Sequence, residues 1–266
     1  MKGLNPTQPA KVKTFQPCQI CGAAPASCKS HIIPRQFYSR LLGDAKHLLR
    51  LEVEETIQRG FSQSGIREQG ILCPECDGRL GVFDDYAYMV LPARVSSGKT
   101  KYWVPSVTVV DMGLIDVQRF KMFLAALLWR ASRSTHEMFR HVKLGSFGKR
   151  LKGVLTGKDT SWLGSADCVI VHLDPPRYDK ILLQPFVEEY DGVRVVRFYL
   201  YPWKLLIKLD ERPFGPVWQQ LILKVGAPTH ALVMNDFSRG EVEMLADLQR
   251  KIKAHHSARG DGKADK

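Results

Sequence analysis

The strongest hydrophobic pattern in this 266-residue chain lies over residues 116–133. There Phe120, Phe123, Leu124, Leu127 and Leu128 recur at helical spacing and form a broad apolar stripe. The pattern predicts a core helix. A second helix is expected over 77–91, where Leu80, Phe83, Ala87 and Val90 share one face. Shorter helices are expected over 36–42 (ended by Gly43), 135–141 and 148–155. From Cys168 the pattern changes to apolar runs typical of strands: CVIVHL, KILLQPFV, VRVVRFYLYP, WKLLIKL, WQQLILKV and HALVMN.

Weaker signals fill the intervals. His31-Ile32-Ile33-Pro34 reads as a short strand or turn stopped by proline. Residues 51–57 alternate and predict a strand, and the glycines and serines of 60–65 predict a loop. A Pro/Gly/Ser/Lys stretch from 92 precedes the β-branched cluster Val104, Val107, Thr108, Val109 and Val110. That reads as a domain boundary followed by one strand. A last helix is expected over about 239–253. The chain thus divides into a loose basic lead-in (1–16), a cysteine-rich unit (17–92), a larger domain (93–254) and a disordered tail (255–266). Within the larger domain, 115–157 is helical and 166–234 is β-rich, so the fold class is α+β.

Composition changes this picture in two ways. The apolar fraction of 44% and charged fraction of 25% exclude wholesale disorder. Thirty-nine Lys plus Arg against 27 Asp plus Glu leave a formal charge of +12, which points to a polyanionic partner such as nucleic acid. No apolar run approaches the ~20 residues of a membrane-crossing helix. The first 13 residues lack the apolar core of a secretory signal, so a cytoplasmic, thiol-reducing location is expected.

In that setting the six cysteines read as metal ligands or core residues. Two Cys-x-x-Cys pairs, Cys18/Cys21 and Cys73/Cys76, are separated by 51 residues. Four thiolates close a tetrahedral Zn²⁺ site with no open position, so the expected zinc is structural. A compact alternative set is Cys18, Cys21, Cys28 and His31, which would leave Cys73 and Cys76 without a role. Cys28 otherwise reads as a spare thiol and Cys168 as core.

Between the two pairs lies Ser30-His31-Ile32-Ile33-Pro34, and the second pair reads Leu72-Cys73-Pro74-Glu75-Cys76-Asp77. Together these motifs resemble the His-Asn-His (HNH) endonuclease pattern, in a bacterial group with Ser-His-Ile-Ile-Pro and Cys-x-x-Cys-Asp. The resemblance covers about residues 17–90. It implies a zinc-braced ββα-metal, treble-clef-like N-terminal lobe, with the helical middle and β-rich C-terminal lobe added to it. It also implies His31 as the general base that deprotonates water, and a catalytic Mg²⁺ or Mn²⁺ at Asp77 and Asp84. The chain departs from the family pattern in three places: Ser30 replaces the usual Asp, Glu68 the usual Asn and Asp77 the usual final His. Read from the residues alone, Asp77 equally suits a helix cap, His31 a packed or zinc-binding histidine, and Asp84 and Asp85 a solvated face.

Lys29, Arg35 and Arg40 are the candidate phosphate contacts, with Phe37 and Tyr38 placed to touch sugar. Arg130, Arg133, Arg140, Lys143, Lys149, Arg150 and Lys152 form a second basic run. The expected activity is metal-dependent hydrolysis of DNA phosphodiesters, in bacterial defence or mobile-element biology. The alternatives are a catalytically inactive zinc-containing nucleic-acid adaptor, or a subunit that binds a protein partner through the C-terminal lobe.

Overall fold

Helix α3, Val117–Arg133, is the axis of the molecule. The computed structural model describes residues 14–42, 48–51, 59–62, 65–97, 99–104, 107–173 and 181–234. Asp116 caps α3: its carboxylate accepts the Arg119 N–H at 3.0 Å, satisfying one of the donors that a helix start leaves open. Phe120, Phe123, Leu124, Leu127, Leu128 and Trp129 are fully buried. Their burial on every side makes α3 a central helix rather than a surface one. Helix α1 (Arg35–Leu42) packs on α2 (Pro74–Ser97), and α2 and α4 (Phe147–Leu155) both pack on α3. A further short helix, α5, covers Ser161–Ser165.

The strands form three sheets. The largest has seven strands in the order β5 (Lys99–Val104), β6 (Val107–Gly113), β12 (Thr229–Met234), β7 (Cys168–Leu173), β11 (Trp203–Lys208), β10 (Val193–Leu200) and β9 (Phe186–Tyr190). All neighbours are antiparallel except β12 and β7, which run parallel. A second sheet joins β3 (Arg59–Ser62), β2 (Leu48–Leu51) and β8 (Ile181–Leu183). The third pairs β1 (Ser30–His31) with β4 (Arg67–Glu68).

The continuous apolar runs of the large sheet follow from burial on both faces. Along β10, Val196, Phe198 and Leu200 join the helical core, while Val193, Val195 and Tyr199 enter clusters on the opposite face. Strand β7 divides in the same way, Cys168 and Ile170 facing the helices and Val169 and Val171 facing away. The helical core also takes in Cys18, Ile20, Ile32 and Phe37. One apolar cluster therefore runs from the cysteine-rich unit through α3 to the sheet.

Several sequence expectations are corrected here. Residues 99–113 hold two strands, β5 and β6, where one was expected. KILLQPFV breaks into β8 and β9 around Gln184 and Pro185, since a proline cannot donate to the ladder. WQQLILKV is a 3-10 turn at Trp218–Gln220 with a single bridge from Ile222 to Val169, and Leu223 joins the helical core while Leu221 joins the cluster on the opposite face of the sheet. The helix expected over 135–141 is only a 3-10 turn, Glu137–Phe139. Residues 60–62 of the loop expected over 60–65 belong instead to β3. Of the strand expected over 51–57 only Leu51 is described, as the last residue of β2; residues 52–57, the terminal helix over 239–253, the tail and most of the lead-in lie outside the described residues. Among the described residues no helix is long and apolar enough to cross a membrane.

Candidate metal centre and the adjoining strand pair

Two local turns build the cysteine cluster. In the first, the Cys18 N–H donates to the Ala24 carbonyl at 2.7 Å and the Gly22 N–H to the Cys18 carbonyl at 2.8 Å. Gly22 closes this turn at φ +73°, a left-handed conformation that glycine adopts without steric cost. The second turn is the start of α2, where the Cys76 N–H points at Cys73 Sγ at 3.4 Å. The turns are laced together because the Gln19 N–H donates to the Ile71 carbonyl and the Cys28 N–H to the Leu72 carbonyl.

The outcome is that Cys18, Cys21, Cys73 and Cys76 place their sulfurs within 4.8 Å of one another. Cys18, Cys73 and Cys76 are buried and Cys21 is exposed. All six cysteines are unbridged thiols. A soft, four-sulfur donor set of this size fits a closed structural zinc site. The thiols are unequal. Backbone N–H groups of Ala24 and Ala23 lower the Cys21 pKa to about 6, while burial pushes Cys73 and Cys76 up. Metal binding therefore has to displace protons from the buried pair.

Cys28 and His31 stand outside this cluster. Cys28 Sγ donates to Asp77 Oδ2 at 3.4 Å, and burial and the Asp77 charge raise its pKa. His31 lies on β1 opposite Arg67, half-buried, its ring centroid 6.3 Å from that of Tyr38. Because β1 pairs with β4 and β4 leads into α2, the chain here forms a strand–strand–helix unit, with α1, β2 and β3 inserted between its strands. Ser30 is fully buried, so its hydroxyl is not presented to solvent.

The other acidic candidates are committed elsewhere. Glu68 accepts Ser134 Oγ at 2.6 Å, Thr135 Oγ1 at 2.8 Å and the Thr135 N–H at 3.0 Å. It therefore ties β4 to the C-terminal end of α3, a role that its spacing from the cysteines did not signal. Glu68→Gln should lower stability by about 1.5–3 kcal/mol, since hydrogen bonds to a charged acceptor are lost; urea unfolding measures it. Asp84 is also spoken for. Its two oxygens accept both terminal nitrogens of Arg130 at 2.7 Å in a buried, bidentate pair. The expectation of a solvated or metal-facing Asp84 is thereby corrected. Asp85 accepts Gln36 Nε2 at 2.5 Å.

Lys29, Arg35 and Arg40 are exposed, as a phosphate contact requires. Phe37 and Tyr38 are not: they are 3% and 2% exposed and belong to the core, so they offer no face to a sugar. Arg133, Lys143, Lys149, Arg150 and Lys152 are exposed, with Arg150 paired to Glu211. Arg130 leaves the basic run because it is buried against Asp84. Cys168 is core, as expected.

No family model, curated protein or solved structure matches this chain.

Proposed function

We propose that the chain is a zinc-braced nuclease of the HNH type, cutting phosphodiester bonds in DNA with His31 as general base. One observation supports this reading above the others. The motif histidine sits on a strand pair that runs into a helix, and the segment before it touches the first turn of that helix through Cys28 and Asp77. The four-cysteine cluster brings the turn before β1 to the start of α2. Treble-clef zinc sites in ββα-metal folds have this arrangement of a knuckle, a hairpin and a helix start.

Histidine suits the role because its ordinary pKa, near ~6.5, leaves a neutral, basic imidazole at cellular pH. His31 would take the proton of a water whose oxygen attacks phosphorus, while the bond to the leaving sugar oxygen breaks. Lys29, Arg35 and Arg40 would hold neighbouring phosphates. Asp77 is the carboxylate that remains for a divalent ion. Mg²⁺ sites of this type use one or two carboxylates and complete their shell with substrate phosphate and water, so Asp77 supplies the minimum. When bound there, the ion would stabilise charge on the phosphate oxygens.

The test is cleavage of supercoiled plasmid and single-stranded DNA with Mg²⁺ or Mn²⁺. His31→Ala should retain zinc and cut on the order of 10²–10⁴-fold more slowly, the usual contribution of a general base. Equal cutting by both proteins would remove His31 from the mechanism.

The commitment of Glu68 and Asp84 to structural contacts favours a second reading, a nucleic-acid adaptor without hydrolysis. It predicts DNA binding that weakens steeply with salt, and no cleavage by either protein.

A further inference from the structure

A cleft of about 530 Å³ lies between α3, α5 and the loop before β12, away from the cysteine cluster. It falls in the size range of small-molecule sites. Its chemistry is unusual for a surface groove. Lys121, in the second turn of α3, lines it and is only 4% exposed. Lysine is almost never buried to this degree without a charge partner.

Lys121 Nζ donates to the Leu163 carbonyl at 2.8 Å, using one of its three N–H groups. The nearby carboxylate is Asp167, which also lines the cleft and is 9% exposed. Asp167 is already engaged: Lys208 Nζ lies 2.5 Å from its Oδ2. Two buried lysines thus depend on one carboxylate, Lys208 in direct contact with it and Lys121 only through its charge. Lys224, exposed at the rim, adds a third positive charge. Burial lowers the Lys121 pKa, while Asp167 opposes that shift. An uncompensated buried charge is costly, and an incoming anion would complete the cluster.

The remaining walls set the rest of the ligand. Leu163, Ile222, Leu223 and Val225 form an apolar surface, and Gln118 and Thr160 offer neutral hydrogen-bonding groups. We propose that this cleft binds a small molecule carrying an oxyanion, phosphate or carboxylate, on an apolar body, with Lys121 as the anion contact. This site does not rest on the nuclease reading.

Isothermal titration calorimetry of the 266-residue, zinc-loaded chain tests it with phenyl phosphate, benzoate, benzyl alcohol and benzylamine. One or both anions should bind at millimolar concentration or tighter, and the one that binds better identifies the headgroup. The alcohol and amine should bind at least about tenfold more weakly, and Lys121→Met should remove about tenfold or more of the anion affinity. Methionine fills the same space without the charge, and a melting curve shows that Lys121→Met is folded before it is titrated. His31→Ala should leave anion binding unchanged, which separates this site from the nuclease. If Lys121→Met does not fold, Val225→Trp decides, because it blocks the cleft from an exposed position and should abolish binding. Equal binding of anion and alcohol, no heat with either anion, or anion affinity unchanged by Lys121→Met or Val225→Trp overturns the proposal.

Discussion

Removing zinc should unfold this protein rather than merely alter its activity. Structural zinc contributes about 10–16 kcal/mol to the folding of zinc-finger peptides. Whole domains are stable by only about 5–15 kcal/mol. Here the cysteine turns are joined to each other by backbone hydrogen bonds and bring together four sulfurs that could hold a metal ion. Cys18, Cys73 and Cys76 are also part of the apolar cluster that reaches α3, so losing the site opens the same core that seats the central helix. Cys73→Ser, or a strong chelator, should lower Tm sharply and remove the near-ultraviolet signal of the buried tryptophans. Circular dichroism with zinc analysis on the same samples measures both. A Cys73→Ser protein that lacks zinc yet melts with the parent would sink this account.

The zinc contribution should also depend on pH, with a definite sign. Burial raises Cys73 and Cys76, so these thiols are protonated without metal, and zinc has to release their protons. Acid therefore competes with zinc. The metal-dependent part of the stability is present at alkaline and neutral pH and is lost as pH falls. Cys21, already lowered to about 6, adds little to that proton release at neutral pH. Chelator-induced melting should consequently need less chelator at pH 6 than at pH 8.

Asp84→Asn should be strongly destabilising. It removes the carboxylate that neutralises Arg130, itself 2% exposed, and leaves a buried guanidinium without its charge partner. Breaking a buried pair from one side typically costs about 3–5 kcal/mol. For a chain of this length that corresponds to a Tm drop on the order of 10 °C. Arg130 feels the same balance: burial works against its charge, but the Asp84 charge and hydrogen bonds outweigh burial and raise its pKa. The double change Asp84→Leu with Arg130→Met should recover most of the loss, because a packed apolar pair needs no desolvation of charge. Thermal and urea unfolding of the parent and the two variants separate this from a metal-binding role. A catalytic ligand would instead lose Mg²⁺-dependent cleavage while the melting curve stayed in place.

How far the site was legible follows from the range of each interaction. The Cys-x-x-Cys pairs were readable because a zinc knuckle is a local turn, and the four sulfurs do converge. Asp77 was readable only as an acidic residue at a helix start, and its contact with Cys28 spans 49 positions. Asp84 looked like a surface acid because its partner Arg130 lies 46 residues away on another helix. Glu68 matched a motif position by counting, yet its carboxylate meets Ser134 and Thr135, more than 60 residues downstream. Phe37 and Tyr38 lie between Arg35 and Arg40 as on a nucleic-acid surface, but an eight-residue helix turns them inward.

The α+β class, the central helix over 116–133 and most of the β7–β12 strands were determined by the sequence itself. Each rests on periodicity within a few turns or residues, and neighbouring side chains set that pattern. Only the tertiary structure decided the strand order, the parallel meeting of β12 with β7 and the single core joining the cysteine unit to the sheet. It also decided which charges are buried: Asp84 with Arg130, and Lys121 and Lys208 around Asp167. A charge's solvation depends on what distant segments cover it, and that information is spread over the whole chain rather than held in any one stretch of it.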